Sequence, residues 1–218
     1  MSRFARVALR AVPRSRPTVA VARAAFVAPA SRVPSFSRSY ATPPDTPSAG
    51  DTQLAHAQSL LEDGTRALEE GDLAKARAMY TESVGAKPTS GGWFNLGVVE
   101  YQLGQLPAAI DAWRASIALE PSADAYTNLG SAYMMSKPPN AAEAIKALTA
   151  AMSISPEDAE IQYNLAAILE STDNLETALT LYKKAHAGGI ERAAANARNV
   201  GGKLLAKKLK EEAAKEGK

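Results

Sequence analysis

A proline-ended pattern that recurs about every 34 residues constrains the fold of this chain more than any other feature. Successive copies end at Pro88, Pro121 and Pro156. In the clearest copy, small, aromatic and aliphatic residues occupy the recurring offsets, at Trp93, Leu96, Gly97, Gly104, Leu106, Ala109, Ile110, Trp113, Ile117, Leu119 and Pro121. A repeat of this length is typical of a stacked array in which each copy is one supersecondary unit.

Four copies of the pattern can be aligned, at residues 57–89, 90–122, 123–158 and 159–190. The third copy has a longer turn between its two helices, at residues 137–140, and surface turns tolerate such insertions. The fourth has Gly188 and Gly189 where its terminal proline would fall, so the array stops there. We therefore assign residues 54–190 to the repeats.

Glycine and alanine recur where the two helices of a copy must approach closely, as at Gly97 and Ala109. Aromatic residues make up only 6% of the chain, so small side chains must supply much of the contact between helices. A leucine at Gly97 or Ala109 should overpack this contact and destabilise the fold by about 1–3 kcal/mol. The pattern therefore predicts closely packed helical hairpins.

Together these glycines, alanines and prolines resemble the tetratricopeptide repeat, and the resemblance covers about residues 54–199. It implies an all-α fold, a right-handed superhelical solenoid of about four helical hairpins with C-terminal capping helices. The first helices of the hairpins would line a concave groove that receives a peptide or helix from another protein. The implied function is a non-catalytic protein–protein interaction module that acts as an adaptor or assembly factor.

In this family the second, fifth, ninth, twelfth and thirteenth positions of each hairpin face the groove. In this sequence they include Phe94, Val98, Tyr101, Gln102, Asp124, Thr127, Ser131, Met134, Met135, Glu160, Tyr163 and Glu170. Aromatic residues, adaptable methionines and a few carboxylates together suit an amphipathic helix or an extended apolar peptide with a basic flank. The alternative for each side chain is packing between neighbouring hairpins, because aromatic stripes on helices often belong to the core.

Relatives that bind acidic chaperone tails hold the terminal carboxylate with lysine, arginine and asparagine side chains in the groove. This chain has Leu61 and Thr65 where the lysine and asparagine of the first hairpin would stand. In the third hairpin, Asp124 and Asn128 replace a lysine and an arginine, and Asn95 alone fits that pattern. We therefore predict that acidic chaperone tails do not bind.

The residues after the repeats, 191–218, are predicted to cap the array. Residues 191–199 should form a helix that covers the exposed apolar face of the fourth copy. Gly201 and Gly202 should break that helix, and residues 203–216 should form a second, lysine-rich helix. We favour a solvated extension over a binding arm for this second helix, since runs of charge usually face solvent.

Residues 1–40 have the composition of a mitochondrial transit peptide, with eight arginines, no lysine and no acidic residue. A basic arm for nucleic acid usually mixes lysine with arginine, and no stretch approaches the roughly 18 apolar residues of a membrane span. The segment Arg-Ser-Tyr-Ala at 38–41 resembles the processing site of fungal-type and animal mitochondrial precursors. We expect a mature chain that begins at Ala41 with a flexible linker at 41–53, in the mitochondrial matrix rather than the intermembrane space.

Charge argues against a groove for nucleic acid. Eight of the 25 basic residues lie in residues 1–40, which leaves 17 against 23 acidic residues and a formal charge of about −6 for residues 41–218. None of the groove positions is basic, whereas an array that binds RNA must neutralise phosphates. We predict another protein as the partner, with no nucleic acid and no membrane span. Organellar RNA binding is the weaker alternative.

The sequence contains no catalytic or metal-binding constellation. Cysteine is absent, and His56 and His186 are the only histidines. Gly202 and Lys203 are not followed by the serine or threonine of a phosphate-binding loop. We therefore predict no enzyme activity, no metal site and no cofactor. The main alternative to an adaptor is a permanent structural subunit of a larger mitochondrial complex.

Overall fold

The computed structural model describes residues 49–216. The predicted transit peptide at residues 1–40 and its cleavage point before Ala41 lie outside the described residues. The first described helix begins at Ala49. The linker predicted at residues 41–53 therefore overlaps this helix at residues 49–53. Helix propagation explains the difference, because each residue added ahead of an existing helix gains one hydrogen bond for one residue ordered, without the cost of a new nucleus.

Between residues 49 and 216 the chain consists of helices joined by short turns, with no β-strand. The helices are α1 (Ala49–Glu69), α2 (Leu73–Ala86), α3 (Ser90–Gln102), α4 (Leu106–Leu119), α5 (Ala123–Met135), α6 (Ala141–Ile154), α7 (Ala159–Ser171), α8 (Leu175–Ala187) and α9 (Glu191–Glu216). Successive pairs form four hairpins, and α9 packs against α8. The predicted all-α helical repeat solenoid is confirmed. None of the described helices combines the length and apolar character needed to cross a membrane.

Left-handed backbone conformations make the tight turns inside the hairpins. Gly71 and Gly104 have φ angles of 83° and 76°, and Asp173 has a φ angle of 61°. Glycine adopts this region without a steric penalty, and aspartate tolerates it better than most residues. The turn of the third hairpin, from Met135 to Ala141, is two residues longer than that of the second, as its sequence predicted.

Short polar side chains begin the first helices of the later hairpins. The Thr89 hydroxyl accepts a hydrogen bond from the amide of Gly92 at 3.0 Å, and the Ser122 hydroxyl accepts one from Ala125 at 3.2 Å. Asp158 caps α7 in the same way. Such caps typically stabilise a helix by about 1 kcal/mol. The boundaries between hairpins are therefore encoded locally.

Glycines allow the two helices of a hairpin to pack around a large buried ring. A Cβ atom at Gly64 would lie 2.7 Å from the Tyr80 ring, and one at Gly97 would lie 2.6 Å from Trp113. Tyr80 and Trp113 are among the largest fully buried side chains, and Ala109 is also fully buried. The close helix contact expected at Gly97 and Ala109 is thus present in the structure.

The C-terminal helix differs from its prediction. α9 is continuous, so the predicted break at Gly201 and Gly202 is wrong. A glycine inside a helix costs roughly 0.5–1 kcal/mol relative to alanine, and tertiary contacts on both sides of the pair offset this cost. Val200, just before the glycines, is fully buried. Lys207, after them, forms an ion pair in which its Nζ lies 2.5 Å from Asp173 Oδ2.

Candidate partner-binding groove

The groove residues predicted on α3 are partly exposed. Phe94, Val98 and Tyr101 are half-buried and pack against the main hydrophobic core. Gln102, in the last turn of the helix, is exposed. Half-buried apolar side chains are held by the core on one side and leave their other side available for contact. The apolar positions predicted on α3 are therefore accessible.

The positions predicted on α5 divide into hydroxyls bonded to their own helix and methionines that stay accessible. Thr127 Oγ1 donates to the Ala123 carbonyl at 2.8 Å, and Ser131 Oγ donates to the Thr127 carbonyl at 3.0 Å. Met134 is half-buried and Met135 is 39% exposed. Because the hydroxyls are satisfied within the helix, α5 offers a partner mainly hydrocarbon and sulfur.

A contact between Tyr101 and Met135 joins the accessible surfaces of α3 and α5. The Tyr101 hydroxyl donates to Met135 Sδ at 2.7 Å, and the Tyr101 ring lies 5.8 Å from the Trp113 ring, centroid to centroid. Burial raises the pKa of Tyr101, so its hydroxyl remains a neutral donor at physiological pH. We call the strip formed by five side chains the open groove: Phe94, Val98, Tyr101, Met134 and Met135.

The aromatic position predicted on α7 is covered by α9 of the same chain. Arg192 pairs with Glu160 and places its guanidinium carbon 4.3 Å from the centroid of the Tyr163 ring. Asn196 Nδ2 donates to Tyr163 Oη at 3.1 Å. Tyr163 is only 9% exposed, so it packs between helices, the alternative that the sequence left open.

Glu170, the last position predicted on α7, also has its partners inside the chain. Lys203 Nζ lies 2.6 Å from one carboxylate oxygen, and the Tyr182 hydroxyl donates to the other at 3.0 Å. Burial raises the pKa of Tyr182, and the negative charge of Glu170 raises it further. Both oxygens of Glu170 are thus engaged, which leaves this carboxylate less available to a partner.

Three residues of α9 that contact the predicted groove were not predicted as site residues. Arg192, Asn196 and Lys203 lie 32 or 33 residues after the α7 residues to which they donate hydrogen bonds. This spacing is close to the repeat length. Extending the period past residue 190 would have placed α9 in the position of the first helix of a fifth hairpin.

The first hairpin also has apolar residues at groove positions, which the prediction did not include. Leu61 and Leu68 precede Phe94 and Tyr101 by one repeat of 33 residues. Both leucines are half-buried and pack against the hydrophobic cluster that contains Tyr80. The same offset rule that found the residues on α3 would have identified them.

Charged groups at the accessible positions are few. Asp124, in the first turn of α5, is exposed and forms no ion pair with another described residue. Across residues 49–216, no three His, Asp or Glu side chains gather in a way that could hold a metal ion. The open groove can therefore bind through apolar contact, with one carboxylate nearby on α5.

The raised pKa of Tyr182 predicts a loss of stability in alkali. A group whose pKa is higher in the folded chain stabilises the fold below the unfolded value, about 10 for tyrosine, and this stabilisation is lost as the pH rises. Above about pH 10, Tyr182 should lower the free energy of unfolding by up to about 1.4 kcal/mol per pH unit. Denaturant titrations at rising pH measure this slope, which Tyr182→Phe should reduce. An unchanged slope in the variant would contradict the assignment.

Two family models match the repeats of this chain. One, described as TPR repeat, matches residues 93–136, and the other, described as Tetratricopeptide repeat, matches residues 131–193. The two matches overlap and together extend from α3 to the start of α9. No curated protein sequence matches the chain.

Several solved structures have a similar fold. The crystal structure of MamA protein is 26% identical, with a TM-score of 0.64, and the alignment covers 73% of this chain and 87% of that one. YrrB, described as a TPR protein with an unusual peptide-binding site, is 20% identical over 68% and 76% of the two chains, with a TM-score of 0.58. The first TPR of Spaghetti (RPAP3), bound to an HSP90 peptide, is 23% identical over 55% and 94%, with a TM-score of 0.51. The last two similarities show the fold alone.

Proposed function

We propose that this chain, whose residues 93–193 match family models of the tetratricopeptide repeat, is a non-catalytic adaptor or assembly factor that binds a protein segment in the open groove. The observation that carries the proposal is the continuous apolar strip on α3 and α5, where Tyr101 and Met135 meet. Repeats of this fold typically act as protein–protein interaction modules. In a neighbouring structure of the same fold, the first TPR of Spaghetti is bound to a peptide.

The side chains of the open groove favour a partner segment with an apolar face. Phe94 and Tyr101 provide rigid aromatic surface, and Met134 and Met135 can adapt to the shape of the partner. Asp124 adds a carboxylate on α5 that forms no ion pair with another described residue. We therefore propose an amphipathic helix or an extended apolar peptide with a basic flank as the partner. Only a modest basic flank is needed, because Glu160 and Glu170 are already neutralised by α9.

The composition of residues 1–40 supports a mitochondrial location for this interaction. An arginine-rich segment without acidic residues is typical of import signals. We propose that the chain is imported, is cleaved before Ala41 and acts in the matrix.

The groove is tested by proximity labelling in intact mitochondria, which compares the native chain with a Phe94→Ala/Met134→Ala variant. Truncating two central apolar contacts should lower the labelling of a defined subset of matrix proteins by about tenfold, since few interface residues carry most of the binding energy. Tyr101 is kept, because it contacts Trp113 in the core. Circular dichroism establishes that both proteins are equally folded.

The matched control is Leu119→Ala/Ile154→Ala. These side chains are 53% and 46% exposed, at the ends of second helices, so the control removes a comparable apolar surface away from the open groove. The control should label the same proteins as the native chain. If the groove variant keeps every partner, or if the control loses the same subset, the groove is not the interface. Co-migration of both variants with one large assembly would then favour a permanent structural subunit.

A further inference from the structure

A cavity of about 310 Å³ lies between α4, α5 and α6, where two second helices flank one first helix. Its buried lining includes Leu129 and Tyr133 of α5, and its half-buried lining includes Tyr126 and Ile117. Tyr126, Leu129 and Tyr133 are spaced three and four residues apart and share one face of α5, whereas the open groove residues Met134 and Met135 lie on another face. The cavity is therefore a second apolar surface, separate from the open groove.

The rim of this cavity carries an unpaired cation. Arg114 is exposed, and its guanidinium carbon lies 5.7 Å from the centroid of the Tyr133 ring. Among the side chains that the structure describes, no carboxylate lies within ion-pair distance of Arg114. The second cation at the rim, Lys146, is neutralised by Glu143 at 2.6 Å. The rim thus has a net positive charge of one, on a part of the chain that is acidic as a whole.

The preceding hairpin shows how such an arginine is satisfied inside the fold. Glu100 lies one repeat of 33 residues before Tyr133, and its carboxylate accepts a hydrogen bond from Arg77 Nε at 2.7 Å. At the cavity, an aromatic ring replaces that carboxylate. By the 33-residue period Arg77 corresponds to Ile110, and Arg114 lies one helical turn later on α4. Arg114 therefore faces the Tyr133 ring, whereas Arg77 faces an internal anion.

We propose that this cavity binds an acidic segment of a partner protein, which inserts one bulky apolar side chain and sets a carboxylate against Arg114. The cavity volume lies at the lower end of the range for ligand pockets, enough for a side chain rather than a large cofactor. Aromatic lining favours an apolar anchor, and the unpaired guanidinium favours a carboxylate. One net positive charge is too little to hold a nucleic-acid backbone, which requires several phosphate contacts.

The probe for this site is the peptide acetyl-Glu-Leu-Phe-Glu-amide, titrated into the ¹⁵N-labelled full chain and followed by NMR. Amide shifts are expected at Arg114, Ile117 and Tyr126, and not at Phe94. A probe with glutamine in place of both glutamates should bind about fivefold more weakly, because it lacks the charge-assisted contact. Arg114→Gln should weaken the binding of the acidic probe by the same factor, so that the acidic and glutamine probes bind this variant equally.

Two further variants separate the cavity from its surroundings. Ala118→Trp, at an exposed lining position, should fill the cavity and weaken the binding of the acidic probe by about tenfold. Lys183→Gln removes an exposed charge on α8, as a matched control, and should change nothing. Equal binding of the acidic and glutamine probes, no effect of Arg114→Gln, or shifts confined to the open groove would each overturn the proposal. So would saturable binding of anionic vesicles or single-stranded RNA at these amides without binding of the peptide.

Discussion

Replacing Trp113 with alanine should lower the free energy of unfolding by about 3–5 kcal/mol, the usual cost of truncating a buried tryptophan. Trp113 is 2% exposed and lies against Gly97, between the two helices of the second hairpin. Its ring also supports Tyr101 of the open groove, so partner binding should weaken as well. Chemical denaturation followed by far-UV circular dichroism measures the loss through the shift of the midpoint.

Trp93→Ala is the matched control for this prediction. Trp93 lies in the same hairpin but is half-buried, so its truncation removes less apolar surface from the core and should cost less than half as much. A repeat array can unfold in steps, and the two variants should therefore be compared by more than one spectroscopic probe. Equal losses would contradict the central role of Trp113 in the core.

At Gly97, a single added methyl group should destabilise the fold by about 1–3 kcal/mol. In Gly97→Ala the new Cβ atom would lie 2.6 Å from Trp113 Nε1 and 2.7 Å from Trp113 Cδ1. The indole is packed on all sides, so it can move away only by disturbing its neighbours. The sequence predicted this cost for leucine, and the structure extends it to alanine. The midpoint of chemical denaturation measures the effect.

The matched control at Gly97 is the same substitution at Gly201, for which the opposite sign is expected. Gly201 lies inside α9, and a Cβ atom there would meet nothing within 4 Å. Gly201→Ala should therefore stabilise the chain by roughly 0.5–1 kcal/mol, the difference in helix propensity between the two residues. If both substitutions destabilise the chain, steric contact with Trp113 is not the cause at Gly97.

Much of the fold could be predicted from the sequence, because each repeat is specified by residues that act on the backbone and side chains close to them. Glycine at Gly97 leaves room for a ring one helix away, Gly104 reverses the chain, and Ser122 begins the next helix. Each of these features acts within a single hairpin and recurs at the same offset, so the period alone identifies it. The apolar character of the α3 and α5 positions also followed from this period.

Which groove positions remain open was decided only by the tertiary structure. Arg192 and Lys203 cover the predicted positions on α7, and they do so through contacts between residues about one repeat apart. No local signal distinguishes Tyr163, which is covered, from Tyr101, which is accessible. Exposure of such residues depends on the side chains that the next helix places against them. The sequence predicted a capping helix at residues 191–199, but it did not predict the contacts of Arg192 and Asn196 with α7.

The continuity of α9 also depends on tertiary structure and not on local sequence preference. By sequence alone, Gly201 and Gly202 indicate a helix end, since each glycine weakens a helix by roughly 0.5–1 kcal/mol. In the folded chain, the burial of Val200 and the ion pair between Lys207 and Asp173 hold the helix together across them. The sequence by itself determined the repeating hairpins, where local preference and packing agree. Only the tertiary structure decided the course of α9, because there packing and ion pairs outweigh the local preference.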